Sequence, residues 1–172
     1  MKLKDIIIFF TLFTIAQYTL AQCNDALIEK AIAESGNDAL LLRKFKIKLP
    51  KGTPRKPVPV VKYTLKLNRG IKYRFNLVNA DKNSSEAISQ LWYKNNLLES
   101  SYNYERNIDL QQFDYYCERT ATYQMVVSFR EGKKGCAAGV LSMVVTDSTR
   151  AADLSNTNAI DSLEVLYIGV DN

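Results

Sequence analysis

The chain has 172 residues, with 23 Lys or Arg against 18 Asp or Glu, a net charge of +5 and no histidine. The missing histidine excludes Ser-His-Asp and Cys-His nucleophiles, histidine-ligated zinc and the usual proton shuttle near neutral pH. Once the leader described next is removed, about 150 residues remain, enough for one domain with a sizeable core and too few for two comfortable ones.

Residues 1–21 read as a secretory signal peptide. Lys2 and Lys4 precede an apolar run from Ile6 to Ala16, and Thr19 and Ala21 set small residues before a cut after Ala21. The run is short of the ~20 residues a bilayer span needs. Leu20-Ala21-Gln22-Cys23 is also similar to a lipoprotein signal, which would put a lipid on Cys23; Gln22 stands where that family carries Gly, Ala or Ser. The expected location is periplasmic, outer-membrane-associated or secreted, with no membrane span and a lipid anchor as the alternative tether.

Residues 22–59 predict a helix, a strand and a proline-rich linker. Asn24 or Asp25 can cap a helix over 23–35, with Leu27, Ile28, Ala31 and Ile32 on one face and Gly36-Asn37-Asp38 as its end. Such a helix would close one end of a sandwich. Pro54, Pro57 and Pro59 with Gly52 give a stiff, extended connection into the main domain at 60–146.

Twelve of the basic residues, and no Asp or Glu, fall between Arg43 and Arg74. Lys44, Lys46 and Lys48 alternate with Phe45, Ile47 and Leu49, and Lys62 and Lys66 alternate with Tyr63, Leu65 and Leu67. Beyond the Asn68-Arg69-Gly70 turn, Lys72 and Arg74 alternate with Tyr73 and Phe75. As strands, these segments carry their cations on outward faces. Such faces suit an acidic glycan, lipid headgroups or an acidic protein surface. The plainer reading, and the preferred one, is a solvated sheet whose lysines discourage edge association. Nucleic acid is not expected, since no nucleic-acid module is present and the leader directs the chain elsewhere.

Ala87–Tyr93 and Leu97–Tyr104 read as strands around a Lys94-Asn95-Asn96 turn. Trp92, Tyr93, Tyr102 and Tyr104 could stack on sugar rings if they lay together in the open, although alternation also buries such side chains. Asn79, Asp81 and Glu86 offer oxygens at a spacing that matches no known calcium loop. Glu99, Glu105, Asp109 and Asp114 are the clustered acids, and nothing in their spacing sets two of them face to face for glycoside hydrolysis. No enzyme activity, cofactor or metal is expected.

The most regular stretch runs from Phe113 to Val145. Tyr123, Met125, Val127 and Phe129 recur at every second residue, and Glu131-Gly-Lys-Lys-Gly135 reads as a hairpin turn into Cys136–Val145. That predicts a meander with one buried face. Of the three cysteines, Cys117 and Cys136 are the obvious pair, but in a meander they stand a strand length (~23 Å) apart. A bridge tolerates ~4.4–6.8 Å between Cα atoms. Buried thiols are therefore expected, with Cys23 unpaired, lipidated or partnered with one of them.

Two stretches carry family resemblances. Leu67-Asn-Arg-Gly-Ile-Lys-Tyr-Arg-Phe75, Ile88-Ser-Gln-Leu-Trp-Tyr-Lys-Asn-Asn96, Phe113-Asp-Tyr-Tyr-Cys117 and Thr120-Ala-Thr-Tyr-Gln-Met-Val-Val127 together resemble the bacterial prepeptidase C-terminal domain, with Ala121 where that family usually has Gly. The resemblance implies a small jelly-roll-like antiparallel β-sandwich over about 60–146, an accessory module without catalytic residues. Leu163-Glu-Val-Leu-Tyr-Ile-Gly-Val-Asp-Asn172 is similar to the strand that opens periplasmic domains of the gliding-motility and type IX secretion family. It implies a terminal strand after a polar linker from Thr146, or the start of a truncated second domain. The expectation is a mostly β, non-enzymatic module with a binding or structural role in the bacterial cell envelope, its partner an envelope protein or glycan. The alternative is a carbohydrate-binding module using exposed aromatics.

Overall fold

The computed structural model describes residues 23–80 and 86–145. The expected leader, Asp81, the linker after Thr146 and the terminal strand lie outside the described residues.

The chain begins with α1 (Asp25–Ala33), capped by the Asn24 side chain, which accepts a hydrogen bond from the Leu27 amide at 3.2 Å. Asp25 in its first turn and Lys30 in its last complement the helix dipole. Gly36, at φ +93°, reverses the chain just beyond the helix, a conformation side chains with a Cβ resist.

The strands follow: β1 (Ala39–Leu49), β2 (Val60–Leu67), β3 (Lys72–Asn79), β4 (Ala87–Tyr93), β5 (Asn96–Ser100), β6 (Tyr102–Asn103), β7 (Ile108–Asp109), β8 (Gln112–Tyr116), β9 (Ala121–Phe129) and β10 (Gly135–Val144). Among the described residues they form one sheet in the order β1-β10-β3-β8, a second in the order β2-β9-β4-β5, and a β6–β7 ribbon. Every pairing is antiparallel. The fold is a mostly β, two-sheet sandwich with one short helix.

Tyr123, Met125, Val127 and Phe129 are all buried, as their period requires, and β4–β5 is a hairpin turned at Lys94, whose φ is +53°. The meander is corrected. β9 lies in one sheet and β10 in the other, so the Glu131–Gly135 segment crosses between sheets. The Asn68-Arg69-Gly70 turn does the same between β2 and β3. Alternation states which face of a strand is apolar, not which strand lies beside it.

The main core fills the space between the sheets, with Phe75, Leu67, Leu91, Met125 and Val127 almost wholly buried. A smaller cluster lies on the opposite face of the first sheet, where Leu27, Ile28 and Ala31 of α1 cover Val78, Ala138 and Val140. The helix is thus a third layer over β10, β3 and β1, not a plug at one end. Apolar on both faces, β10 reads as a nearly continuous buried run. Residues 39–49 belong to the same sandwich, because β1 pairs with β10 along its length.

Of the alternatives left open for the cysteines, the structure takes the one that pairs Cys23, and of the two expected buried thiols it keeps Cys117. Cys23 and Cys136 form a disulfide with Cα atoms 5.8 Å apart, and Cys117 is a free, buried thiol. Cys117 packs in the core between the sheets, whereas Cys136 packs on the helix side of β10. The two face opposite sides of one sheet and cannot meet. The bridge also occupies the Cys23 sulfur that a lipid anchor would need.

Candidate functional site

β1 and β2 are edge strands of different sheets and lie on the same side of the sandwich. Across the seam between them the Phe45 and Tyr63 rings meet at 4.6 Å between centroids. The Tyr63 hydroxyl donates to the Lys46 carbonyl at 3.5 Å. The seam forms a groove of about 270 Å³, lined by residues 43–49 of β1 with Val61 and Tyr63 of β2.

Arg43 reaches the groove because β1 is irregular there. Its register with β10 shifts between Leu41 and Arg43, so Leu41 packs under α1 while Leu42 packs on the main core. From Arg43 onward the odd-numbered residues face inward, and the bulge re-aims the arginine at the mouth of the core. Its guanidinium carbon sits 4.9 Å from the Phe45 centroid and 5.9 Å from that of Tyr63, within cation–π range. Nη1 is shielded from solvent and has no hydrogen-bond partner among the described residues. Burial pushes the Arg43 pKa down from the ordinary arginine value, although a guanidinium stays charged at any physiological pH.

The expected basic residues divide into two groups. Lys44, Lys46 and Lys48 of β1 and Lys62 and Lys66 of β2 are exposed and flank the seam. The β1–β2 connection adds exposed Lys51, Arg55 and Lys56. Lys44 and Lys46 are paired with Glu29 (3.3 Å) and Asp25 (2.7 Å) of α1, solvent-exposed bridges of little net strength. Lys48, Lys62 and Lys66 have no ion pair among the described residues. Lys72 and Arg74 lie elsewhere. They sit on β3, two strands from β1, and are held by Asp114, which both contact, and by Asp38, which Arg74 contacts. They do not belong to the seam.

The four aromatics that the alternative carbohydrate reading would need on one platform are dispersed. Trp92 is half-buried and donates from Nε1 to Gln90 at 3.3 Å. Its neighbour Tyr93 points the other way, onto the main core and against Tyr123. Adjacent strand residues cannot face the same side. Tyr102 and Tyr104 stack edge to face on the ribbon near the opposite end of β4, with Arg130 over Tyr102.

Of the candidate acids Asp114 and Asp109 are already committed, and Glu99 is exposed on β5. Asp114 accepts from Arg74 and Lys72, and the Arg74 hydrogen bonds hold its carboxyl below the usual range despite partial burial. Asp109 is ion-paired with Arg130. Glu105 is exposed. Among the described residues no cluster of His, Cys, Asp or Glu could hold a metal. A larger cleft of about 520 Å³ lies between Lys30, Glu34, Asn79, Glu86 and Asp109–Gln111. It carries both signs of charge, with Lys30 and Glu34 ion-paired at 3.7 Å, and residues 81–85 of the loop between its Asn79 and Glu86 lie outside the described residues. The seam is therefore the better-defined site.

Sequence reading had not singled out Arg43. The signal was present in Leu40-Leu-Leu-Arg43, a run without alternation immediately before strict alternation begins, which is how a bulge looks in sequence.

No protein-family model matches the chain, and no curated protein matches it. Among solved structures it is similar to PliG of Aeromonas hydrophila, a periplasmic lysozyme inhibitor of g-type lysozyme. The identity is 12% and the TM-score 0.44, over 59% of this chain and 84% of that one, a likeness too loose to carry a function across.

Proposed function

We propose that this protein is a non-enzymatic, exported β-sandwich module that binds an anionic component of the bacterial cell envelope through its β1–β2 side. The seam carries this reading. Two adjacent sheet edges border one groove, with an inward-turned arginine and unpaired lysines on both flanks. A structural sheet edge requires the lysines. It does not require a partly buried guanidinium whose shielded Nη1 lacks an acceptor, an arrangement that costs stability. The Cys23–Cys136 disulfide supports export, because such bonds persist in oxidising compartments. A periplasmic, outer-membrane-associated or secreted location follows from the same reading. The likeness of residues 60–146 to prepeptidase C-terminal domains remains part of the proposal, with β1 added as an integral strand.

Cell fractionation, followed by salt-dependent binding to anionic envelope material, tests this reading. The protein should appear in the envelope or medium with its disulfide formed. It should bind an acidic polysaccharide, anionic vesicles or an acidic protein more weakly as salt rises. A triple charge reversal, Lys48→Glu with Lys62→Glu and Lys66→Glu, should abolish that binding. Unaltered binding by the triple variant, or a cytoplasmic protein with reduced Cys23, would overturn the proposal.

A further inference from the structure

We infer that the seam takes an extended acidic peptide segment of a partner protein, which adds as a strand along the free edge of β1 and draws the Arg43 guanidinium onto one of its carboxylates. This rests on the function proposed above and names the partner's chemistry.

The shape of the site is linear. Seven consecutive residues of β1, Arg43 to Leu49, line the groove, a run of ~23 Å. One edge of β1 is paired to β10 throughout this stretch, and the other is open. On an open edge alternate residues leave an N–H and a C=O without a ladder partner, and an added strand satisfies both. The Tyr63 hydroxyl reaches one such carbonyl, that of Lys46.

The side chains select the sign and the pattern. A strand laid beside β1 would alternate its side chains between two rows. One row meets Lys44, Lys46 and Lys48 on the outer face; the other meets Phe45, Val61 and Tyr63 at the groove floor, with Arg43 at its end. An acidic–apolar alternation fits both rows. A fork-shaped guanidinium with a free N–H suits a carboxylate, which it can engage by charge-assisted hydrogen bonds.

The lysines also exclude the wrong strand. A second copy of this chain would bring its own basic edge and be repelled, whereas an acidic segment is attracted by the same charges. Asp25 and Glu29 hold two of these lysines only through exposed pairs, which an incoming carboxylate can displace.

The test titrates the disulfide-intact protein with a fluorescent decapeptide of alternating Glu and Val, read by anisotropy. The comparison probes are the Gln/Val peptide, two Glu/Val peptides N-methylated on alternate amides in either register, a sulfated oligosaccharide, and vesicles containing phosphatidylglycerol. The Glu/Val peptide should bind, the Gln/Val peptide should not, and one N-methylated register should bind at least about tenfold more weakly. Arg43→Met should weaken the Glu/Val peptide by about tenfold, and Arg43→Lys, which keeps the charge without the fork, should restore only part of it. The N-methylation comparison uses the unaltered protein, so it stands even if an Arg43 variant misfolds. Equal binding of both N-methylated peptides, or preference for the oligosaccharide or vesicle over the peptide, would overturn strand addition and leave anion binding in place. Failure of every probe to bind would overturn both.

Discussion

Arg74 and Asp114 face each other directly across the β3–β8 pair and are joined by two hydrogen bonds. Nε donates to Oδ1 at 2.7 Å and Nη2 to Oδ2 at 3.0 Å. The same guanidinium donates to the Ser35 carbonyl and to Asp38, so it ties the end of α1 to the edge of the first sheet. Its pKa rises, chiefly through the Asp114 hydrogen bonds, and that of Asp114 falls, chiefly through Arg74.

A depressed carboxylate stabilises the fold above its unfolded pKa of ~3.9 and loses that contribution as pH falls through its lower folded value. Asp114→Asn should therefore cost about 2 kcal/mol near neutrality, as charged hydrogen bonds of this kind do. Urea unfolding across pH 7 to 3 should show the variant and the parent converging in acid. A constant gap over that range would mean that the ion pair is not the source.

Asn76 is wholly buried on β3 and donates from Nδ2 to the Ala31 carbonyl at 2.8 Å and to Ser35 Oγ at 3.3 Å. It satisfies the end of α1 from beneath. Asn76→Ala should destabilise by about 2 kcal/mol and leave the Ala31 carbonyl with the Ser35 hydroxyl as its remaining side-chain donor. Hydrogen exchange in α1 should accelerate more than in β9. Uniform acceleration would show that the helix is not the part released.

Gly135 begins β10 directly against Phe129, and a Cβ there would stand 2.1 Å from the ring. Phe129 is itself buried in the core and cannot move aside. Gly135→Ala should cost about 3 kcal/mol by overpacking. Denaturant unfolding measures it, and recovery in the double variant Gly135→Ala with Phe129→Leu would locate the clash.

The disulfide closes a sequence separation of 113 residues. On the chain-entropy account a loop of that length stabilises by about 4–5 kcal/mol. Reductant, or Cys23→Ser, should lower the melting temperature accordingly. Thiol titration in denaturant should find one reactive cysteine before reduction and three after it. More than one thiol beforehand would contradict the bridge.

What sequence made legible was local. Asn24 marked the cap, Tyr123 to Phe129 marked a one-faced strand, and Lys94-Asn95 marked a true hairpin. Partner choice was not legible, because a turn such as Asn68-Arg69-Gly70 suits a hairpin and a sheet crossing equally well. The adjacent apolar residues Leu77-Val78 and the run Ala137–Leu141 did hold the missing information. A strand without alternation is covered on both sides, and among the described residues the second cover is α1. The basic strands were visible, but Lys72 and Arg74 are separated from Lys44 to Lys66 by strand order alone. Arg43 took its place through a one-residue irregularity, whose trace in sequence is the break in alternation at Leu40-Leu-Leu-Arg43.

Joined at Cys23 and Cys136, the described fold is a covalent ring rather than a line. A protease that cuts once in the exposed loop around Arg55 would open the ring without dividing it, and the two pieces would still travel as one molecule until reduced. The disulfide-closed ring lets this protein be nicked at the loop beside its basic seam and keep both of the strands that build it.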